Sequence, residues 1–240
     1  MLPVILSVKR GTHRADDSMS PSHDQAYQEI RPVILERDNN TCQYCGFHST
    51  KMQEVHHVDD DHSNQDESNL ATICVLCHMA FHIGFAGANE MGCIIYTEDH
   101  QNITQAQFNN LIRTLWVGEL SDDRDKKLMC GALLTRFSKM RVPAKKKYGT
   151  SDPTWFGDYL LKLSKENYEK REKAFAGALF LPNKDKYKKE IKFWSENTFR
   201  GIPSTTWTSI AKQKVDELVA RDVGDSNIDS IMDYLDISNQ

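Results

Sequence analysis

The hydrophobic pattern predicts two short strands and a helix in the first hundred residues. Apolar residues run together in PVILSV, at 3–8, and in GCIIY, at 92–96, and both runs have the length of a strand. In AYQEIRPVILERD, at 26–38, apolar residues recur at helical spacing, and Pro32 is expected to bend or restart that helix. Residues 11–23 are polar and are predicted to form a loop.

Helical patterns dominate the chain from residue 103 onward. In ITQAQFNNLIRTLWVGEL, at 103–120, Thr104 and Gln107 form a capping box, and four apolar residues make a buried stripe: Phe108, Leu111, Ile112 and Leu115. KKLMCGALLTRFSKM, at 126–140, and SIAKQKVDELVARD, at 209–222, are also helical. Three further starts are predicted at Asp152 with Pro153, at Ser164, and at Asn183, whose helix would carry Tyr187, Ile191 and Trp194.

A last amphipathic pattern, SNIDSIMDYLDI, occupies residues 226–237 after the break at Gly224. Its apolar residues fall at i, i+3, i+4 and i+7, but about twelve residues are too few for a stable isolated helix. The segment is compatible with docking on its own body or on another chain. We expect it to contact a second chain in an assembled complex.

These patterns divide the chain into four parts and predict an α+β fold. Residues 1–35 would hold the first strand, the loop and a lead-in helix. Residues 36–90 would form a small mixed metal-binding module near the N-terminus. A mostly α-helical body would follow at 91–222, and a short tail at 223–240.

The composition excludes some classes of protein but does not identify a function. The chain is 39% apolar and 27% charged, which is ordinary for a globular protein. The first apolar run has five residues, too few for a membrane span, and it lacks the charged start and cleavage site of a signal peptide. A net charge of −4 argues against a protein that coats nucleic acid. Residues 136–192, with 16 basic against 7 acidic side chains, would suit nucleic acid, an acidic partner, or solvent alone.

The cysteines point to a metal rather than to disulfides. Two CxxC pairs, Cys42 with Cys45 and Cys74 with Cys77, match the spacing of a structural zinc site with four thiolate ligands. A mixed cysteine and histidine site would leave two thiols unused, and a redox CxxC gives no role to the second pair. Zn²⁺ held by all four cysteines is therefore the prediction.

Histidines in the same segment resemble the HNH nuclease motif, the ββα-metal finger. The order is His56-His57, Asn69, then His78 and His82 four residues apart, within SNLATICVLCHMAFH. The resemblance implies a ββα fold for the module at 36–90, in which His57 is the general base and Asn69 holds the loop that orients it. It implies a divalent cation, Mg²⁺ or Mn²⁺, bound by His56, His78 and His82 for phosphodiester hydrolysis. The first pair is more often Asp-His in zinc-bearing members, and His-His is the variant of bacterial toxin nucleases.

Five longer segments follow one another along the chain: LSVK, ERDNNTCQYCGF, SNLATICVLC, GTSDPTWFG and LFLPNKDKYKKEIKFW. Together, and in this order, they resemble the IcmJ/DotN family. That resemblance covers the chain to about residue 220. It implies a four-cysteine zinc on an HNH-like scaffold, acting as an adaptor at the ATPase of a type IVB secretion coupling complex. The place implied is the bacterial cytoplasm, at the inner face of the membrane. This chain departs from the family in its longer tail and in carrying all five HNH residues.

Two hypotheses therefore follow from the sequence. The first is an adaptor subunit of a secretion or conjugation coupling complex, partnered with the coupling ATPase. The second is an active endonuclease that cuts DNA with a divalent metal. A fold alone does not establish catalysis, and the sequence leaves the choice between them open.

Overall fold

A computed structural model describes residues 1–9, 21–61, 63–97 and 103–200 of the chain, with backbone only for 21–24. Ten α-helices and four strands lie within these residues. In chain order they are α1 Pro21–Arg37, β1 Gln53–His57, β2 Leu70–Cys74, α2 Val75–Phe81, α3 Ile83–Ala88, β3 Gly92–Tyr96, α4 Gln105–Gly118, α5 Arg124–Lys139, α6 Arg141–Tyr148, α7 Pro153–Lys162, α8 Lys165–Glu169, α9 Arg171–Ala174, β4 Ala178–Pro182 and α10 Lys188–Phe193. The predicted α+β class, with a small ββα unit ahead of a mostly helical body, is confirmed.

The ββα unit consists of β1, β2 and α2. The two strands pair antiparallel, with Gln53 opposite Cys74 and His57 opposite Leu70. Because side chains alternate along a strand, Val55 and His57 face one side of this hairpin, and Glu54 and His56 face the other. Helix α1 covers the first side, where Ile34 packs against Val55. Helix α2 covers the second.

A second two-stranded sheet pairs β3 with β4 antiparallel, although 81 residues separate their ends in the sequence. The hydrophobic pattern predicts β3 but not β4. All five residues of β4 are buried, so the strand shows no alternation of exposed and buried positions. Its outer edge is closed by Gln105, whose side-chain amide donates to the Phe180 carbonyl and accepts from the Phe180 N–H.

The main core is shared between the ββα unit and the helical body. The four CxxC cysteines and Ile73 pack in one cluster with Phe108 and Leu115 of α4, Leu179 of β4 and Trp194. A second cluster joins Val8, Ile83 of α3, Ile94 of β3 and Phe156 of α7. The residue boundaries predicted for the four parts of the chain stay a prediction, but apolar contacts cross the boundary proposed at residue 90.

The strand predicted at residues 3–8 is wrong. This segment forms no ladder, because its backbone bonds go to irregular segments and helix ends rather than to another strand. Leu2 N–H donates to the Gln43 carbonyl, Ser7 N–H donates to the Ala80 carbonyl, and the Ser7 carbonyl accepts from Ile83 N–H. The apolar side chains Leu6 and Val8 are nonetheless buried.

Most helix starts follow the predicted caps. The capping box of Thr104 and Gln107 opens α4, and the side chains of Asp152 and Ser164 cap α7 and α8. Asn183 caps a 3-10 turn, Lys184–Tyr187, before α10, and a π-helical turn follows at Trp194–Thr198. Helix α1 begins at Pro21, inside the predicted loop, and continues through Pro32 without a restart.

Several expectations fall outside the described residues. These include the helix at 209–222, the tail at 223–240 and the greater part of the loop at 11–23. Among the described helices, none is both long enough and apolar enough to cross a bilayer.

Helices α3 and α7 approach closely through glycines, and this contact yields the first prediction. A Cβ added at Gly157 would lie 2.5 Å from the Gly84 Cα, whereas a Cβ at Gly84 would meet nothing closer than 3.6 Å. We expect Gly157→Ala to lower the free energy of unfolding by about 1–3 kcal/mol through overpacking. Gly84→Ala is the matched control and should leave stability unchanged or slightly higher. Thermal melts of both variants measure the difference, and equal melting temperatures would contradict it.

Candidate metal centres

Each CxxC pair sits on a tight local structure. In the first knuckle, Cys42 N–H donates to the Phe47 carbonyl at 3.0 Å and Gly46 N–H donates to the Cys42 carbonyl at 2.9 Å. Gly46 has φ +72°, a left-handed conformation that favours glycine. In the second knuckle, Cys74 ends β2 and Cys77 lies in the first turn of α2.

The fold brings all four predicted thiols together. The sulfurs lie within 4.8 Å of one another, and the four side chains are buried. Cys45 Sγ and Cys74 Sγ are 3.7 Å apart. A tetrahedron of ligands with Zn–S bonds of about 2.3 Å has edges of about 3.8 Å. The cysteine tetrad (Cys42, Cys45, Cys74 and Cys77) thus has the size and donor set that fit a tetrahedral metal ion.

A buried polar ridge on α4 contacts the tetrad. Its members, Gln105, Asn109 and Arg113, are spaced i, i+4, i+8 and are each at most 5% exposed. Asn109 Nδ2 donates to Cys77 Sγ at 3.3 Å, and Arg113 Nη2 donates to Cys74 Sγ at 3.0 Å. Gln105 Nε2 donates to Asn109 Oδ1 and also to β4. The ridge therefore connects the second sheet to the sulfur ligands.

Arg113 places a fully buried positive charge beside the sulfurs. Burial alone would lower the pKa of its guanidinium, but the negative charge of the four cysteines raises that pKa above its ordinary value. Burial likewise opposes ionisation of Cys74, yet contacts with the other three cysteines and the charge of Arg113 hold the pKa of its thiol below the usual range. The guanidinium also lies 3.6 Å from the Phe47 ring centre. Contacts among the cysteines lower the pKa of Cys45 as well but raise the pKa of Cys42 and Cys77, so Arg113 favours the thiolate form at Cys74, the sulfur that it contacts.

A second cluster brings together His56 of β1, His78 of α2, and His82 at the junction of α2 and α3. Their nearest nitrogens all lie within 4.8 Å of one another, and His78 Nε2 is 3.1 Å from His82 Nε2. Ligands at about 2.1 Å from a shared ion would be separated by about 3.0–3.4 Å. Three imidazole nitrogens suit Zn²⁺, Ni²⁺ or Cu²⁺ better than Mg²⁺, which prefers oxygen ligands.

The histidine cluster (His56, His78 and His82) is held by its neighbours and is largely closed. The Glu54 carboxylate bonds to His78 Nδ1, which leaves Nε2 to face His82. The Phe81 ring stacks on His56 with centroids 4.7 Å apart. The three histidines are 5%, 9% and 5% exposed, so a substrate has little access to them as they lie.

His57 lies on the opposite side of the hairpin from this cluster. Its ring stacks on Tyr27 of α1, with centroids 5.9 Å apart, and it is buried with Val55 under that helix. Burial lowers the pKa of His57, so the neutral imidazole is favoured. The structure therefore brings His56, His78 and His82 together but turns His57 toward α1.

Asn69 organises the loop that joins β1 to β2. Its Nδ2 donates to Asp59 Oδ1 at 2.8 Å and to the Asn64 carbonyl at 3.1 Å, while its Oδ1 accepts from Asp59 N–H. The loop begins directly after His57 and is acidic at Asp59, Asp60 and Asp61. Its carboxylates would repel a phosphate backbone.

The ligands were visible in the sequence, but their supporting residues were not. Arg113 and Asn109 fall beside the apolar stripe of an ordinary amphipathic helix. The available signal was the spacing of Asn109 and Arg113 at i+4 and i+8 from Gln105, which places the three polar residues on one face of the helix. Glu54 could have been noticed because it alternates with His56 along β1 and so faces the same side.

Two comparisons with known proteins bear on these sites. Residues 42–82 match the HNH endonuclease family. The chain is also similar to the type 4 apparatus protein DotN of Legionella pneumophila subsp. pneumophila. The two are 30% identical over 182 residues, which cover 75% of this chain and 84% of the relative.

Arg113 generates the second prediction. Arg113→Met keeps most of the side-chain volume but removes the charge and the bond to Cys74, so we expect unfolding free energy to fall by roughly 3 kcal/mol. Metal affinity should fall about 10- to 100-fold, as is usual when a supporting contact of a metal ligand is removed. Chelator competition and thermal melts measure both effects. Arg124→Met, at an exposed position of α5, is the control; equal behaviour of the two variants would contradict the role of Arg113.

Proposed function

This chain belongs to the DotN family, and from that premise we propose that it is a zinc-binding adaptor subunit of a type IVB secretion or conjugation coupling complex. Its partner would be the coupling ATPase with its associated subunits, on the cytoplasmic side of the membrane. The observation that carries the proposal is the extent of the similarity. It covers 182 residues, far beyond the 41-residue segment 42–82 that matches the HNH family.

The chemistry of the cysteine tetrad supports zinc as the resident metal. Four thiolates in a closed, buried shell are the donor set of structural Zn²⁺, and no position is left open for a substrate. In this role the metal would hold the two knuckles against α4. Its function would be to shape a protein surface rather than to activate water.

The histidine side of the hairpin supports an adaptor better than a nuclease. A nuclease needs a base and a metal-bound water on the same side of the site, with room for the phosphodiester. Here His57 is stacked on Tyr27, the three other histidines are at most 9% exposed, and the adjoining loop is acidic.

An active endonuclease is the second candidate, favoured by one specific observation. Three histidines converge within ligand distance, and Asn69 braces the loop that follows His57. In that case His56, His78 and His82 would hold the divalent cation, for which their nitrogens suit Zn²⁺ or Ni²⁺ better than the expected Mg²⁺ or Mn²⁺, and His57 would act as general base. Opening of the contact between α1 and the hairpin would be required first.

The third prediction concerns the zinc. Purified protein should contain one Zn²⁺ per chain bound by the tetrad, and Cys45→Ser should lose it. Because the binding free energy of a structural metal contributes directly to folding, the variant should also melt at a much lower temperature. Elemental analysis and thermal melts provide the measurements. Cys93→Ser, outside the tetrad, should keep both properties; zinc-free wild-type protein would refute the proposal.

The fourth prediction separates the two functions. The full-length chain, co-expressed with the coupling ATPase of its own apparatus, should co-elute with it in size-exclusion chromatography. The same protein should leave plasmid and linear DNA intact with Mg²⁺, Mn²⁺, Zn²⁺ or Ni²⁺.

Cutting by wild-type protein that is lost in His57→Ala would reverse this conclusion, because removing a general base costs about 10²- to 10⁴-fold in rate. Cutting that persists in His57→Ala would indicate a contaminant. Failure to co-elute, with zinc content intact, would contradict the adaptor role itself.

A further inference from the structure

A wide groove of about 1080 Å³ is lined by none of the residues of the two metal-ligand clusters. One wall is formed by Thr135 and Ser138 of α5 and by Arg141 and Lys145 of α6, and all four are exposed. The opposite wall comes from the start of α7 and from the residues that follow β4. The exposed wall makes this an open channel on the surface rather than an enclosed cavity for a small molecule. It is called the α5–α6 groove below.

Carboxylates also line the α5–α6 groove, but each has a partner. Glu119 pairs with Lys184, Glu90 lies 4.0 Å from Lys186, and the Asp152 side chain caps α7 by accepting from Thr154 N–H. By contrast, Arg141 and Lys145 form no ion pair with any described residue. The groove therefore presents unmatched positive charge along its α6 side.

The sequence that contains α5 and α6 is strongly basic. Residues 126–151 contain eight Lys and Arg side chains and no Asp or Glu. On α6, Val142, Lys145 and Lys146 fall at i, i+3 and i+4 and so share one face. Val142 is 69% exposed, among the most exposed large apolar side chains of the described residues. Positive charge near helix ends is common and needs no partner. An exposed valine among these charges, however, favours a partner that is both acidic and apolar.

Most of the exposed lining of the groove is polar, and a smaller apolar patch, called its floor, is formed by four side chains. Leu134 of α5 and Cys93 of β3 are half-buried there, and Pro153 and Leu181 also line it. Two turns of an α-helix, about 11 Å long and 10 Å wide, occupy roughly 850 Å³, which the groove can accept. A helix with leucines on one face would cover the floor, and glutamates beside them would reach Arg141 and Lys145.

We infer that the α5–α6 groove binds an acidic, amphipathic helical segment of a partner protein. The inference rests on the proposed function, a subunit role among other proteins, and names the surface that serves it. Nucleic acid fits the groove less well, because a phosphate backbone would leave the apolar floor uncovered. An anionic membrane surface would not reach a concave floor.

The test uses a fluorescein-labelled model peptide of about 16 residues, helical, with leucines at i and i+4 flanked by glutamates. Fluorescence anisotropy with the full-length, zinc-loaded chain in about 50 mM NaCl should give micromolar affinity that weakens with salt. Arg141→Glu/Lys145→Glu should weaken binding about 10-fold or more, since two attractions become repulsions. Ser138→Trp, which fills the groove without changing charge, should also weaken binding.

The matched control is Lys188→Glu/Lys192→Glu on α10, where the lysines already lie near Asp185 and Glu196. It should bind the peptide within about 2-fold of wild type, and melting temperatures should be unchanged in all variants, whose altered side chains are exposed. A peptide with alanine in place of each leucine should bind at least about 10-fold more weakly, because the floor then stays uncovered.

Three outcomes would overturn the inference. The first is no binding of the leucine peptide at about 1 mM. The second is equal binding by the groove variants and the α10 control. The third is equal affinity for the alanine peptide, for duplex DNA or for phosphatidylglycerol vesicles, which would indicate a surface for any polyanion. Co-elution with the coupling ATPase is scored separately, so the groove and the adaptor role can fail independently.

Discussion

The buried guanidinium of Arg113 and the sulfurs beside it form the interaction on which the rest of the architecture depends. A positive charge at 1% exposure is costly unless negative charge lies against it. The only sulfur it bonds is Cys74 Sγ, and the bond is useful only if that sulfur carries negative charge. Four thiolates on one Zn²⁺ carry a net charge of about −2, which one guanidinium partly compensates. With such a metal bound, the metal, the thiolates and Arg113 would stabilise one another, and removing any of them would leave unmatched charge in the core.

This mutual dependence explains why the small metal unit is not an appendage of the helical body. The polar ridge of α4 begins at Gln105 on the edge of β4 and ends at Arg113 on the second knuckle. Asn110 adds a bond from its side chain to the carbonyl of Cys45 on the first knuckle. One helix thus fixes the second sheet relative to both knuckles. Phe108 of α4 also packs against Phe137 of α5, with ring centroids 5.2 Å apart, so the α5–α6 groove is connected to the same helix.

The parts of this structure that the sequence predicts are those determined by neighbours in the chain. The CxxC spacing, the capping box at Thr104 and the Asp152–Pro153 start each depend on residues a few positions apart, and their local structures agree. Strand β4 has no such signal, because it is buried on both faces and its partner lies some eighty residues earlier. The first segment has the composition of a strand, but its backbone bonds to Gln43, Ala80 and Ile83 instead of to another strand. In the sequence, Arg113 resembles a surface residue. Its burial depends on sulfurs that are distant in the chain, such as that of Cys74, 39 residues earlier.

The histidines illustrate the same limit where it matters for function. A motif fixes which residues are present, but the alternation of a strand decides which side each one faces. His56 and His57 are neighbours in sequence and lie on opposite sides of the hairpin, one with Phe81 under α2 and the other with Tyr27 under α1. A general base and a metal can act together only if some rearrangement brings them to one side. Tyr27 of α1 stacks on His57, and its hydroxyl also donates a hydrogen bond to the Val55 carbonyl. These two contacts oppose that rearrangement. A complete set of nuclease residues is thus compatible with a protein that holds them apart, and retaining the scaffold does not require retaining the reaction.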